Sequence, residues 1–176
     1  MIPIRPNNKK LDNKKLADYQ DMIGYKLPQK YIDFLREYNG GDPDENIIEL
    51  LNGEISSVAI TDFFGIDVMK INDLVANFKV YKDRIPKGYI PIARTEGGNI
   101  VCLAGDNGHL FFWDHENEFQ NDDIENKKLL PLANNFENLL QMMKSVTDED
   151  LEDYEVEEVW VDPEFLAELK KNGLLK

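Results

Sequence analysis

Apolar residues recur at helical spacing in several stretches of the chain. Residues 12–24 form the first such stretch, which begins at the capping residue Asp12 and ends at Gly24. A second stretch, over 27–40, has proline near its start and a stripe at i, i+3, i+4 and i+7 that consists of Tyr31, Phe34, Leu35 and Tyr38. Asn39-Gly40-Gly41 follows this stripe and is typical of a helix end. The pattern therefore predicts two helices before any strand.

Three later helices are predicted from the same spacing. They cover residues 73–83, residues 135–144 and the stretch that opens at Asp162-Pro163. Asn134 and Glu137 are three residues apart, as in a capping box, so we expect Asn134 to cap the helix of 135–144.

The hydrophobic period changes to that of strands between these helices. Residues 47–51 and 54–60 flank Asn52-Gly53, which is a strong signal for a hairpin turn. Further strands are predicted at 89–93, 99–104, 109–114, 128–132 and near 154–161. Helices and strands do not alternate regularly, so the order predicts an α+β fold with an antiparallel sheet.

The predicted hairpin of 99–104 and 109–114 is apolar on both faces. One face would carry Ile100, Cys102, Ala104, His109, Phe111 and Trp113, and the other Val101, Leu103, Leu110 and Phe112. A sheet with one face in water alternates apolar with polar residues, and this hairpin does not. We therefore expect helices 28–39 and 135–144 on one face, with the C-terminal segment or a second subunit covering part of the other.

Charge is distributed unevenly along the chain. The 176 residues carry a net charge of −14, of which −8 falls on residues 148–176. A chain this acidic is repelled by nucleic acid and by anionic membrane surfaces, so neither is expected as a partner. A basic macromolecule is the natural partner, although the acidity can also serve solubility alone.

The acidic segment, residues 148–164, is the candidate partner-binding surface. Ten of its seventeen residues are acidic and none is basic. Such runs are usually solvated, but aromatic and β-branched residues interleave here and allow the segment to dock. The candidate contact residues are Asp148, Glu149, Asp150, Glu152, Asp153, Tyr154, Glu155, Glu157, Glu158 and Trp160.

Sequence signals for a cofactor or for catalysis are weak. Cys102, His109 and His115 lack the close pairing that zinc sites use, so neither a metal nor a cofactor is expected. Cys102 lies in the middle of an apolar strand, which favours a packed and inert thiol. Asp114 and Glu116 flank His115 and could support acid–base chemistry in a hydrolase, a remote alternative to a non-enzymatic role.

Several short strings occur in one order and resemble the SMI1/KNR4 family, also called the SUKH superfamily. The resemblance runs from about residue 12 to residue 144 and depends on the joint order of the strings. The strings are Leu27-Pro28, Tyr31, Phe34-Leu35 and Asn39-Gly40-Gly41, then Asp62-Phe63-Phe64-Gly65-Ile66, then Ile90-Pro91-Ile92-Ala93 and Gly97-Gly98-Asn99, and last Trp113-Asp114-His115-Glu116.

The resemblance implies a binding module with a mixed, largely antiparallel sheet and helices packed on one side. Most bacterial members are immunity proteins that bind and block a toxin domain, often a nuclease, and fungal members are regulatory scaffolds. Immunity by occlusion of a basic toxin is therefore the expected function, and a regulatory or scaffolding role without a toxin is the alternative. The motif residues are expected to be structural.

The expected organisation is a family-like domain over residues 1–147 and an acidic strand–helix extension over 148–176 packed on it. No signal peptide or membrane helix is evident, so a cytoplasmic protein is expected. The sequence leaves a homodimer open.

Overall fold

The computed structural model describes residues 3–50, 57–116 and 129–145. A short strand precedes the first helix, so the prediction of two helices before any strand was wrong, and the predicted elements that are described otherwise occur in the predicted order. The helices are α1 (Asn13–Ile23), α2 (Gln29–Glu37), α3 (Leu74–Tyr81) and α4 (Phe136–Met142). The strands are β1 (Ile4–Pro6), β2 (Gly41–Pro43), β3 (Ile47–Glu49), β4 (Ser57–Phe63), β5 (Tyr89–Thr95), β6 (Ile100–Ala104), β7 (Leu110–Trp113) and β8 (Leu129–Ala133). The predicted strand near 154–161 and the last helix lie outside the described residues.

The eight strands form one sheet in which every described strand pair is antiparallel. The order is β1-β2-β4-β5-β6-β7-β8, and β3 pairs with β4 beside this path. The α+β class with a largely antiparallel sheet is confirmed. None of the described helices combines the length and apolar character that crossing a membrane requires.

The first helix begins and ends at the residues that its sequence indicates. The Asp12 side chain accepts hydrogen bonds from the Lys14 and Lys15 backbone N–H groups, at 2.8 and 3.3 Å. Gly24 follows the last turn with φ of 76°, and its N–H donates to the Gln20 carbonyl. Both ends of α1 are thus fixed by local chemistry, as N-capping and left-handed C-capping require.

The cap of α4 is one residue later than predicted. Asn135, not Asn134, has the extended backbone of a capping residue, and its Oδ1 accepts from the Asn138 N–H at 2.9 Å. The prediction of Asn134 was wrong because two adjacent asparagines precede the helix, and residue type does not show which one has the extended conformation.

Strands β1 and β2 were not predicted. Each has three residues, and each ends at a proline, so no alternation of apolar and polar positions marks them. They pair with each other, and Gly41 of β2 pairs with Phe63 of β4. Tertiary contacts, rather than local propensity, make this edge of the sheet.

Both faces of the hairpin β6–β7 are buried. The register pairs Ile100 with Trp113 and Val101 with Phe112, which gives the two predicted faces. The helices α2 and α4 pack on one face as predicted, because the rings of Phe34 and Phe136 contact Phe63, which shares that face with Val101 by register.

The opposite face of the hairpin is contacted by α3. The ring of Tyr81 lies edge-on to Trp113, with 5.9 Å between centroids, and the Arg84 guanidinium lies over both rings. A part of the second face is therefore covered, but by α3 rather than by the C-terminal segment or second subunit that the sequence suggested. The C-terminal segment lies outside the described residues, so its part in the cover stays a prediction. The predicted packing of helices on one side of the sheet holds for α2 and α4, whereas α3 contacts the opposite side.

Candidate functional site

The acidic segment of residues 148–164 lies outside the described residues. Its ten candidate contact residues, which run from Asp148 to Trp160, remain a prediction. Most of the other residues that the sequence analysis selected lie in three regions of the described fold.

A backbone junction between α2, β2 and β4 contains the Asn39-Gly40-Gly41 motif. Asn39 has φ of 51°, and its buried amide accepts from the Ile66 N–H at 2.8 Å and donates to the Ile66 carbonyl at 2.9 Å. The same amide donates to the Lys9 carbonyl at 3.1 Å. One side chain therefore links the end of α2 to the N-terminal segment and to the chain that follows β4.

The glycines of this junction permit close approach of backbones. A methyl group on Gly40, which has φ of 81°, would lie 2.6 Å from the Phe63 carbonyl oxygen. A methyl group on Gly65 would collide with the Asn39 carbonyl, and one on Gly41 with the Arg5 carbonyl. Side chains are excluded here by backbone, which cannot move aside as a flexible side chain can.

Aromatic rings between α2, α4 and β4 form the second region. Phe34 lies 5.1 Å from Phe63 and 4.9 Å from Phe136 between ring centroids, and Tyr31 lies 4.8 Å from Phe136. Leu27 and Leu35 are also buried in this core. Pro28 precedes the first turn of α2, and its carbonyl accepts from Tyr31 and Ile32. These motif residues build the core.

The end of β7 forms the third region and contains Asp114, His115 and Glu116. The Asp114 Oδ1 atom accepts from the Glu116 N–H at 2.9 Å. The Asn99 side-chain oxygen accepts from the His115 N–H at 3.1 Å and lies 2.7 Å from His115 Nδ1. Gly98, with φ of 83°, faces the imidazole. The side chains of Asp114 and His115 thus take part in closing a turn, to which Glu116 contributes its backbone N–H.

The candidate metal ligands are not brought together. Cys102 is buried and pairs with Pro91 and Phe111 in the sheet, whereas His109 is exposed. Burial raises the pKa of the Cys102 thiol. Within residues 3–50, 57–116 and 129–145, no cluster of three histidine, cysteine or acidic side chains could hold a metal ion.

One partly buried ion pair was not anticipated from the sequence. Asp62 is buried, and its Oδ2 accepts from the Thr61 hydroxyl at 2.9 Å and from Arg94 at 3.3 Å. Burial raises the pKa of the Asp62 carboxyl, and Thr61 and Arg94 oppose that shift. The two charged residues are 32 positions apart, so only the pairing of β4 with β5 reveals their contact.

The described residues also include a smaller acidic surface, the acidic edge, which runs from β2 to the end of β3. Asp42, Asp44, Glu45 and Glu49 lie between β2 and the end of β3 without an intervening base. Asp44 pairs with Arg5 at 3.2 Å, and Glu49 pairs with Lys144 at 2.5 Å. Half of this edge is therefore neutralised within the fold.

Comparison with known proteins covers the same regions. The model of the SMI1 / KNR4 family (SUKH-1) matches residues 10–142. A curated relative, the SPbeta prophage-derived uncharacterized protein YokK of Bacillus subtilis (strain 168), is 31% identical over 157 residues, which cover 80% of this chain and 77% of the relative. The family match includes the three regions described above and ends before the acidic segment.

Proposed function

The chain belongs to the SMI1/KNR4 family (SUKH-1), and from this premise we propose that it is an immunity-type binding protein. It neutralises a cognate toxin domain, of basic nuclease type, by occluding the surface on which the toxin acts. The mechanism is association alone, without a cofactor and without turnover. The family match over residues 10–142 is the observation that carries this proposal.

The charge of the chain supports a basic target. Enzymes that act on nucleic acid keep lysine and arginine in their grooves to neutralise phosphates. Carboxylates of an inhibitor can occupy the positions of those phosphates. The acidic segment offers ten carboxylates in seventeen residues, and Tyr154 and Trp160 supply the aromatic anchors that interfaces favour.

The described side chains also support binding over catalysis. The residues best suited to acid–base or nucleophilic chemistry already have structural roles. Asp114 caps a turn through its Oδ1 atom, His115 contacts Asn99, and Cys102 is a buried thiol whose pKa is raised by burial. Groups engaged in this way stabilise the fold on which a binding surface depends.

Growth rescue tests the proposed function. The C-terminal domain encoded by the neighbouring gene is expressed in the cytoplasm of a host with or without this protein. Rescue is expected with the wild type, and it should weaken when the carboxylates of Asp148, Glu149, Asp150, Glu152 and Asp153 are changed to the amides. A regulatory or scaffolding role, the alternative function, predicts a stable complex with another protein and no rescue.

A matched variant controls for the loss of charge. Five exposed acids in the described domain are changed to amides instead, which removes the same net charge: Asp18, Asp21, Glu37, Asp83 and Glu96. This control should rescue growth as the wild type does. Equal weakening by both variants would show that net charge, and not the acidic segment, determines the interaction.

A further inference from the structure

Exposed apolar side chains are concentrated around α3. In the described part of the chain, five large apolar side chains are exposed, and Met69, Ile71 and Val80 are the most exposed of them, at 74, 60 and 57%. All three lie within α3 or the few residues that precede it. Single exposed apolar residues are ordinary, but neighbouring ones often mark an interaction surface.

Two of these side chains, Ile71 and Val80, line a groove of about 780 Å³. Its apolar lining includes Ile71, Ala76 and Val80, and its basic lining consists of Lys70, Lys79 and Arg94. We call these six residues the α3 groove. A smaller hollow of about 290 Å³ shares Val75 with it and includes the exposed Met22 of α1. The lining of this hollow also includes Lys15, Asp18, Asp67 and Asp73, so the surface becomes charged from α3 toward α1.

The α3 groove lies in a basic part of an acidic chain. Residues 70–94 contain six lysines and arginines and two acids, whereas the whole chain has a net charge of −14. Asp73 also lines the groove, and its carboxylate accepts from the Ala76 and Asp67 N–H groups at 2.9 and 2.8 Å, so it is the one acid there beside three basic side chains. Lys70 and Lys79 form no ion pair with any residue that the structure describes.

Arg94 is held in place beside the groove. Its guanidinium donates to the Ile71 carbonyl at 2.7 Å and to Asp62 at 3.3 Å, and it lies over the Phe64 ring at 5.5 Å. The charge of Arg94 is therefore already paired with Asp62, and the fixed side chain forms a rigid wall of the groove.

We propose that the α3 groove is a docking site for an acidic, apolar peptide segment of a protein partner. The apolar floor contacts the partner's aliphatic side chains, and Lys70 and Lys79 pair with its carboxylates. Segments of this kind dock amphipathic faces into apolar grooves. The site goes beyond the proposed immunity function, because it involves neither the acidic segment nor a basic target.

Two other occupants fit the charges and the lining less well. A symmetric dimer through this face would place the lysines of one copy opposite those of the other, and like charges at an interface are costly. Single-stranded nucleic acid binds platforms of aromatic rings, and the residues that line this groove include no aromatic ring. A short acidic peptide meets neither obstacle.

Peptide binding to the full chain tests the proposal. The probe is a labelled synthetic helical peptide with leucines along one face and glutamates on the other, titrated by fluorescence anisotropy. We expect saturable binding that weakens about tenfold or more in Val80→Glu and in Lys70→Glu/Lys79→Glu. Both variants replace exposed side chains, so circular dichroism should show an unchanged fold.

Matched substitutions elsewhere serve as controls. Met142→Glu removes an exposed apolar side chain from a different surface, and Lys14→Glu removes an exposed lysine outside the groove. Both should bind the peptide as the wild type does. Absence of binding by the wild type, equal binding of a peptide with lysine in place of glutamate, or a dimer that Val80→Glu dissociates would each overturn the proposal.

Discussion

Backbone atoms leave no room for a methyl group at Gly65. The added Cβ would collide with the Asn39 carbonyl. We expect Gly65→Ala to lower the free energy of unfolding by about 3 kcal/mol or more, the upper end of the cost of overpacking. Urea unfolding followed by fluorescence measures this change.

Gly24→Ala is the matched control for that substitution. Gly24 has φ of 76° but open space where a Cβ would lie. Only the left-handed backbone is strained there, at about 1–2 kcal/mol. If the two alanine variants lost equal stability, close packing at the α2–β4 junction would be disproved.

The burial of two tyrosines predicts that the fold becomes less stable at alkaline pH. Burial is the main cause that raises the pKa values of Tyr19 and Tyr31 above the ordinary 10.0, and the nearby Asp73 raises that of Tyr19 further. Above about pH 10 the unfolded chain loses these phenolic protons, whereas the folded chain keeps them. The free energy of unfolding is therefore undiminished below that pH and falls above it, by about 1.4 kcal/mol per pH unit for each group.

The double variant Tyr19→Phe/Tyr31→Phe isolates this effect. Neither hydroxyl has a hydrogen-bond partner among the described residues, so their removal should cost little at pH 7. The free energy of unfolding should then decline less steeply between pH 9 and pH 11. An unchanged slope would mean that other groups cause the alkaline loss.

Local signals predict the helices better than they predict the edge of the sheet. Asp12 and Gly24 mark both ends of α1 because a cap is read from neighbouring residues. The strands β1 and β2 depend on Asn39 and on glycines that meet residues more than 20 positions away, and no local pattern contains that information. The α3 groove was missed for a similar reason, since helical spacing indicates inward residues but not which outward ones form a surface.

The prediction and the structure disagree on the N-cap of α4, which was expected at Asn134 and lies at Asn135. Asn135 accepts the Asn138 N–H, whereas Asn134 is exposed and has no such contact among the described residues. We expect Asn135→Ala to lower the free energy of unfolding by about 1 kcal/mol and Asn134→Ala to change it by much less. The reverse order in urea unfolding would restore the original prediction.

A substitution of Trp113 tests whether the second face of the sheet is buried. Its ring is fully buried and contacts Tyr81 of α3. Trp113→Ala should lower the free energy of unfolding by about 3–5 kcal/mol, as large-to-small changes in a core do. A loss below about 1 kcal/mol would be incompatible with a ring that α3 covers.

The net charge of the whole molecule should control the rate at which it associates with a partner. If the acidic segment steers a basic toxin, the association rate should fall as salt is added, since the Debye length shortens to about 8 Å at physiological ionic strength. The five-site amide variant of residues 148–153 should associate more slowly than the wild type at low salt. Stopped-flow fluorescence gives both rates.

Equal rates for the two proteins at all salt concentrations would move the contact surface into the described domain. The acidic edge from Asp42 to Glu49 and the acidic stretch of residues 114–123 are the next candidates. Charge by itself does not distinguish a solvated face from a docked one, so the measured rates are needed to decide among these surfaces.

Titration of toxin activity against this protein tests the central claim most directly. Occlusion by association predicts that activity falls in proportion to the amount added and reaches zero at a fixed molar equivalent. Toxin separated from the complex by denaturation and refolding should then be fully active. Progressive loss of toxin activity at a small fraction of one equivalent, with permanently altered toxin, would show that the protein is an enzyme and would contradict the account.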